Sequence, residues 1–259
     1  MKQQAAMLKP SETVVGRGER GYSGGMKQGS FFFFFLFLFV SAMLFWREIP
    51  GVYAQNNAAL APGATGRLDA LLNSPQMVRP AQAVPLGKNW FRLETDAHVF
   101  TNQAGIGQVA AVLLDLEHQD AIYNGKKSRL SATIVQRSDE GVTVDFVSTA
   151  IMGIIRIKTP YRALVKTLSR TDANITVEVR QLPSDSDSNN DIKKLYALRY
   201  AKEVTIQGKT YTYIRIYTVD EVNASILPGA KGALESNSEP VNRETLRLII
   251  DAARRAAHE

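Results

Sequence analysis

The stretch VNRETLRLIIDAARRAA, residues 241–257, decides how the rest of the chain must fold. On a helix, positions three and four apart share one face. The mostly apolar stripe that results consists of Val241, Thr245, Leu248, Ile249, Ala252 and Ala256. Pro240 directly precedes the stretch, and proline suits the first turn of a helix. Because a lone amphipathic helix of this length is marginal in water, its stripe must rest on apolar strands elsewhere in the chain.

The preceding region predicts strands at short intervals, with one helix near its start. Strand patterns are found at residues 90–100, 130–137, 142–146, 160–169, 174–181, 195–206 and 210–219. Gln207-Gly208 between the last two predicts a hairpin. The early helix has its apolar side between Ile106 and Leu116 and is expected to end near Glu117, with Thr101 or Asn102 as its cap.

This order of elements predicts an α+β fold in one domain, residues 89–259. Sequential hairpins make the sheet antiparallel. One face of that sheet must be buried, and the C-terminal helix is the element available to cover it.

The N-terminus reads as a targeting segment. Residues 31–46 form an apolar run that is short for a bilayer span of about 20 residues but suits the core of a signal peptide. Small residues at positions 52 and 54 predict cleavage after Ala54, before Gln55, so that the mature chain is exported to the periplasm or secreted. Met26 is the expected true start, and an uncleaved membrane anchor is the alternative.

Residues 55–88 are rich in alanine, asparagine, proline, glycine and glutamine. Four prolines punctuate them, at positions 62, 75, 80 and 85. This composition predicts a linker or a loosely docked arm between the targeting segment and the domain.

Composition and motifs exclude several classes of function. A formal net charge of +6 without a block of like charges does not indicate nucleic-acid binding. The absence of cysteine excludes disulfides and thiolate metal sites. His118, near Asp115 and Glu117, has no second histidine at ligand spacing, so a surface role is favoured. Asp185, Asp187 and Asn189 alternate as in a calcium loop but lack its glycine and distal glutamate. No catalytic constellation, metal or cofactor is indicated.

Several local features resemble the START-like, or SRPBCC, superfamily. These are VAAVLLDLEHQDAIY at 109–123, Lys127-Ser128-Arg129, the apolar turn at 150–154, Pro228, and the helix at 244–257. The chain departs from the pattern by lacking an aromatic-proline pair after Tyr123 and by a long polar insertion at 183–191. The resemblance implies a helix-grip fold, in which a curved antiparallel sheet of about six or seven strands packs on a long C-terminal helix.

The resemblance also implies a cavity between sheet and helix for a hydrophobic small molecule such as a lipid or a quinone. The expected lining is Phe146, Tyr161, Val177, Ile214, Ile216, Leu248, Ile249 and Ala252. Arg215 would meet an anionic headgroup if its face points inward, but we expect Ile214 and Ile216 to point inward and Arg215 to be solvated. Ile151, Met152 and Ile154 form the expected rim of this cavity. The stretch that holds them is either part of the core or an apolar rim that contacts membrane or a partner.

Five tyrosines near the C-terminus admit two interpretations. They are Tyr196, Tyr200, Tyr211, Tyr213 and Tyr217. Tyrosine suits a half-buried sheet surface, and its hydroxyl can also orient a ligand in an apolar cavity.

Three functions remain open at this point. The first is an exported START-like domain that binds a hydrophobic small molecule without assigned catalysis. The second is a non-catalytic envelope interaction module whose cavity has collapsed. The third, a cyclase- or hydratase-type enzyme, would need a converging acid–base pair that the sequence does not show. The pattern predicts no oligomeric state.

Overall fold

The computed structural model describes residues 70–152, 155–183, 192–225, 227 and 229–257, which belong to one unit. The strands are β1 (Gln76–Gly87), β2 (Trp90–Thr101), β3 (Ser128–Ser138), β4 (Gly141–Met152), β5 (Ile155–Arg170), β6 (Asn174–Gln181), β7 (Ile192–Ile206) and β8 (Lys209–Asn223). The helices are α1 (Ile106–Leu114), α2 (Gln119–Ile122) and α3 (Ala230–Arg255). The predicted signal peptide and residues 184–191, with the calcium-like alternation, lie outside the described residues.

The strands form one sheet in the order β1-β2-β8-β7-β6-β5-β4-β3, and all neighbours are antiparallel. The predicted α+β class and the antiparallel sheet are therefore confirmed. The described sheet has eight strands rather than six or seven. The additional strand is β1, from the segment that its composition predicted to be a linker.

The linker prediction was wrong for residues 76–87, which pair with β2 along most of their length. Pro80 and Pro85 had argued against a strand because proline cannot donate to a ladder. An edge strand tolerates this loss, since one of its sides has no neighbour. β1 lies at the edge of the sheet, and its register shifts around both prolines.

The hairpin predicted between β7 and β8 is confirmed. Gln207 and Gly208 have φ angles of 51° and 78°. Two consecutive positive φ values define the type I′ turn, whose twist matches that of paired strands. Glycine supplies the second position without steric cost.

Helix α1 begins and ends differently from the prediction. Its N-cap is Gly105, and neither Thr101 nor Asn102 caps it. The backbone amide of Gly105 donates to Gln108 Oε1 at 2.8 Å. The helix ends at Leu114 because Asp115 turns its backbone to an extended conformation. The Asp115 carboxylate then accepts the backbone amide of His118 at 3.0 Å, which leads the chain into α2.

Helix α3 is longer than predicted, since it begins at Ala230, and Pro240 lies inside it. A tertiary contact stabilises the early turns, because Glu235 Oε1 accepts a hydrogen bond from the backbone amide of Ala83 in β1 at 3.0 Å. The buried stripe is also turned by about one residue from the predicted one. Its members in the second half of the helix are Asn242, Leu246, Ile249, Ile250, Ala252 and Ala253.

The sheet curves around α3. The helix contacts β1 and β2 at one edge of the sheet and β3 at the other edge. A flat sheet could not bring both edges to one helix, so the predicted helix-grip arrangement is confirmed. The core lies between the sheet, α1 and α3, and includes Leu113, Phe146, Ile214, Leu246 and Ile249. In the described part of the chain, no helix is long and apolar enough to cross a membrane.

Candidate functional site

The face of the sheet that packs against α1 and α3, here called the inner face, is defined by strand alternation. On β7 it carries Leu195, Ala197, Arg199 and Ala201. These residues pair in register with four residues of β8, in the order Asp220, Thr218, Ile216 and Ile214. Because side chains alternate between the faces, all eight point toward the same side as the core.

Packing is unequal along the inner face. Val177, Ala201 and Ile214 are fully buried in the core. Leu195, Thr218 and Asp220, further along the same strands, are only half-buried. Tyr161 of β5 and Arg199 are half-buried as well. The end of the inner face near α1 is thus fully buried, whereas several side chains at the other end keep part of their surface exposed.

Asp220 is the most unusual residue of this half-buried region. Its Oδ1 atom is buried and has no hydrogen-bond partner among the described residues. Burial raises the pKa of the Asp220 carboxyl from 3.8 to about 7. The side chain therefore exchanges between a neutral and an ionised form near neutral pH.

Arg199 places a positive charge on the same face. Its Nη1 atom donates to the hydroxyl of Tyr123 at 3.4 Å, and its guanidinium lies 5.2 Å from the centre of that ring. Tyr123 is itself buried in the core. The aromatic ring and hydroxyl thus hold the arginine against the interior wall.

Tyr161 connects this charge to the aromatic part of the wall. Its ring stacks on Phe146 with centroids 5.3 Å apart and an interplanar angle of 26°. Burial raises the pKa of Tyr161, the positive charge of Arg199 opposes that rise, and Asp220 adds to it. The phenol is therefore neutral at physiological pH and can donate or accept a hydrogen bond.

Two further groups add polarity to the region. The Nε2 atom of Gln181 donates to the backbone carbonyl of Ile192 at 3.2 Å. Its Oε1 atom is buried without a partner in the described chain. Thr95 and Thr218 share a hydrogen bond of 2.7 Å between their hydroxyls. Asp220, Arg199, Tyr161 and Gln181 are called the polar patch below.

Most of the residues predicted to line a cavity lie on or against the core. They are Phe146, Tyr161, Val177, Ile214, Ile216, Ile249 and Ala252. Leu248 is half-buried outside the core cluster, because α3 turns Leu246, Ile249 and Ile250 toward it instead. Ile151 of the predicted rim is half-buried in β4, whereas the side chain of Met152 and all of Ile154 lie outside the described residues.

Arg215 lies on the opposite, outer face, and Ile214 and Ile216 point inward as expected. The arginine is not merely solvated. Its Nε and Nη2 atoms donate to both carboxylate oxygens of Asp96 at 2.8 and 2.7 Å. The Asp96 side chain is only 3% exposed, so this is a partly buried bidentate ion pair. Arg215 is already committed to Asp96 and is not available for a headgroup on the inner face.

The five tyrosines also lie on the outer face, by the same alternation. Tyr213 and Tyr217 flank Arg215 in β8, and Tyr200 pairs with Arg215 from β7. Their interpretation as hydroxyls in the cavity between sheet and helix is therefore wrong. Tyr196, Tyr200 and Tyr217 are half-buried, as the sheet-surface interpretation expects, whereas Tyr211 and Tyr213 are buried. His118 is exposed and pairs with Asp115 through Nδ1 at 3.0 Å, which agrees with its predicted surface role.

Sequence reasoning missed the polar patch apart from Tyr161. The signal was present, since the alternation that places Ala197 and Ala201 inward also places Arg199 inward. On β8, the series that starts at Ile214 and Ile216 reaches Asp220. Charged residues at the inward-facing positions of these two strands were the signal that the interior is partly polar.

No protein-family model matches the chain, and no curated protein sequence matches it. Solved structures with a similar chain path include a protein from Thermus thermophilus, with 13% identity over 63% of this chain and 98% of that one and a TM-score of 0.45. Human StAR-related lipid transfer protein 5 shares 11% identity over 76% of this chain and 94% of its own, with a TM-score of 0.48.

The Zhui aromatase/cyclase from Streptomyces sp. R1128 shares 15% identity over 65% of this chain and 96% of its own, with a TM-score of 0.42. At such identities and TM-scores, these similarities carry no conclusion about a ligand or an activity of this chain.

Proposed function

We propose that this chain is an exported domain that binds a hydrophobic small molecule, such as a lipid or a quinone, between the sheet and α3. The observation that carries the proposal is the unequal packing of the inner face. Its α1 end is closed by fully buried residues such as Val177 and Ile214. Its other end keeps Leu195 and Tyr161 half-buried although both pack against the core. An apolar wall with a few polar groups is the usual character of a small-molecule site.

The resemblance of the sequence to the START-like superfamily supports the same proposal, because a cavity in this position is what that resemblance implies. No acid–base pair at hydrogen-bond distance is found among the described inner-face residues, so the proposal assigns binding and no reaction. The interaction-module alternative requires a collapsed interior, which the half-buried wall does not favour.

The test is to purify the full chain from the fraction in which it accumulates and to examine it by native mass spectrometry. We expect extra mass that organic extraction removes and that identifies the chemical class of the ligand. Leu195→Trp should fill the half-buried region and abolish that mass. Leu198→Trp, on the outer face of the same strand, is the matched control and should retain it.

A wild-type chain without extra mass that also fails to bind apolar fluorescent probes would contradict the proposal. The same result would favour the interaction module. Loss of ligand in both tryptophan variants would show a general packing defect, and it would count against this location of the site.

We further propose that the domain touches membrane at the ends of β3, β4 and β5. Arg129 and Lys158 both pair with Thr149 from adjacent strands, and Arg156 pairs with Ile151. The side chains of these three basic residues are exposed, as is that of Lys127. Exposed cations beside an apolar strand end fit an anionic lipid surface.

A further inference from the structure

Buried polar atoms in folded proteins almost always have a hydrogen-bond partner, so an orphaned one calls for an explanation. Asp220 Oδ1 and Gln181 Oε1 are both buried and unpartnered in the described chain. Leaving such an acceptor unsatisfied destabilises the folded protein, and more so when the group is charged. Two such atoms on one half-buried wall point to a partner that is not part of the protein.

The two acceptors lie close to one another on the inner face. Asp220 pairs directly with Leu195 across β7 and β8. Gln181 follows the last pair between β6 and β7, Arg180 with Tyr196, and therefore lies beside Leu195 from the other side. With strands about 4.8 Å apart, the two residues flank a half-buried leucine at a spacing of roughly 10 Å.

Gln181 Oε1 can only accept a hydrogen bond, and Asp220 Oδ1 accepts one when the carboxyl is ionised, so a partner shared by both atoms must donate. Arg199 is a cation on the same wall and already donates to Tyr123. The positive charge of Arg199 and the negative charge of Asp220 both affect the pKa of the Tyr161 hydroxyl. The polar patch therefore holds charges of both signs close to one ring. This arrangement disfavours a cationic ligand and favours a neutral donor, for which a hydroxyl group is the simplest choice.

We propose that Asp220 is the recognition residue of the inner-face site, and that it accepts a hydrogen bond from a hydroxyl group carried by an otherwise apolar ligand. Gln181 is a second acceptor at the same end of the site. Leu195, between them, contacts the apolar body. This inference rests on the proposed function and adds to it the chemistry that selects the ligand.

The experiment compares two fluorescent probes that differ in one hydroxymethyl group, pyrene and 1-pyrenemethanol, on the full chain. A hydrogen bond to a charged acceptor contributes about 1.5–3 kcal/mol. The wild type should therefore bind 1-pyrenemethanol roughly 10- to 100-fold more tightly than pyrene. Asp220→Leu should remove this preference while pyrene binding is kept. Asp220→Asn, which keeps an acceptor oxygen, should retain part of the preference.

Glu221→Leu is the matched control, since Glu221 is the next residue on the same strand and pairs with Lys194 on the outer face. It should leave the preference unchanged. Equal binding of the two probes to the wild type, or a preference that survives in Asp220→Leu, would overturn the inference and leave the proposed function standing. Water would then be the partner of Oδ1. Failure of the full chain to bind either probe would overturn the proposed function, and this inference with it.

Discussion

The carboxylate of Glu244 in α3 accepts the backbone amide of Lys127 at 2.7 Å, just before β3 begins. It also accepts the amides of Lys126 at 2.8 Å and Ser128 at 3.1 Å. One side chain of the last helix thus receives three consecutive backbone donors from the opposite edge of the sheet. This contact, called the Glu244 latch below, joins α3 to the β3 edge of the curved sheet.

Glu244→Leu should lower the free energy of unfolding by about 1–3 kcal/mol. The hydrogen bonds to the charged acceptor are lost, and water that binds the freed backbone amides offsets part of that loss. Urea denaturation measures this change. Hydrogen exchange at the amides of residues 126–128 should accelerate in the same variant. Glu239→Leu is the control on the same helix, because Glu239 pairs with Arg243 four residues away, and it should cost no more than about 0.5 kcal/mol.

Gly125 offers an independent perturbation of the Glu244 latch. A Cβ atom added there would collide with the Glu244 carboxylate and would approach the carbonyl oxygen of Ser128 to 2.8 Å. Gly125→Ala should therefore destabilise the domain without removing the acceptor. Gly107→Ala, where an added Cβ meets nothing within 4 Å, should not. Equal stability of the two variants in urea would show that the Glu244 latch accommodates the added methyl group without loss of stability.

The stability of the domain should depend on pH through Asp220. Its pKa is raised from 3.8 to about 7 in the folded protein. Between these values the unfolded chain releases the proton and the folded chain keeps it. The free energy of unfolding contributed by Asp220 therefore falls as pH rises through this window, by at most about 1.4 kcal/mol per pH unit, and is constant above it.

Asp220→Asn should lack this fall and should be more stable than the wild type at pH 8, as measured by urea denaturation at several pH values. Asp145→Asn is a contrasting variant. The hydrogen bond from Arg162 lowers the pKa of Asp145, so its contribution is present at neutral pH and is lost as pH falls through that lowered pKa. Wild-type and Asp220→Asn curves of the same shape would contradict the assignment to Asp220.

The ion pair between Arg215 and Asp96 should show strong coupling. Arg215→Met leaves the Asp96 carboxylate, 3% exposed, without its bidentate partner. The expected loss of stability is roughly 2–4 kcal/mol, since an unpaired buried charge is costly. Adding Asp96→Leu should recover part of it. Additive losses in this double-mutant cycle would show that the two side chains act independently.

Export should produce a mature chain that begins at Gln55. Intact-mass analysis of the protein recovered outside the cytoplasm tests this directly. Ala54→Arg should block cleavage, because signal peptidases need a small residue before the cleaved bond. An unprocessed, membrane-associated wild type would instead favour the anchor alternative.

Membrane contact should depend on the basic residues at and just before the starts of β3 and β5. Lys127→Gln with Arg156→Gln should weaken binding to vesicles containing phosphatidylglycerol roughly tenfold or more, since each cation near the surface contributes about 1 kcal/mol. Added salt should have the same effect on the wild type. Arg137→Gln is the control, because Arg137 lies near the other end of β3 and pairs with Glu117. Undiminished co-sedimentation of the double variant would argue against this surface.

Much of the fold was predictable because its signals are local. Alternation placed β6 at residues 174–181, and Gln207-Gly208 placed the last hairpin, since both depend on side-chain period and backbone sterics. The start of α3 was not predictable in this way. Pro240 reads locally as a helix start, yet contact of Glu235 with β1 keeps ten further residues, 230–239, helical before it.

The sequence by itself determined seven of the eight described strands, the closing helix, and which residues of β8 face inward. Only the tertiary structure decided that residues 76–87 form an edge strand, because pairing with β2 outweighs a composition unfavourable to strands. The tertiary structure also decided the chemistry of the interior. Alternation along the chain puts Asp220 and Arg199 in phase with core residues, but it is the curvature of the sheet around α3 that encloses them. Burial is a property of the assembled fold, and so is the pKa that burial sets.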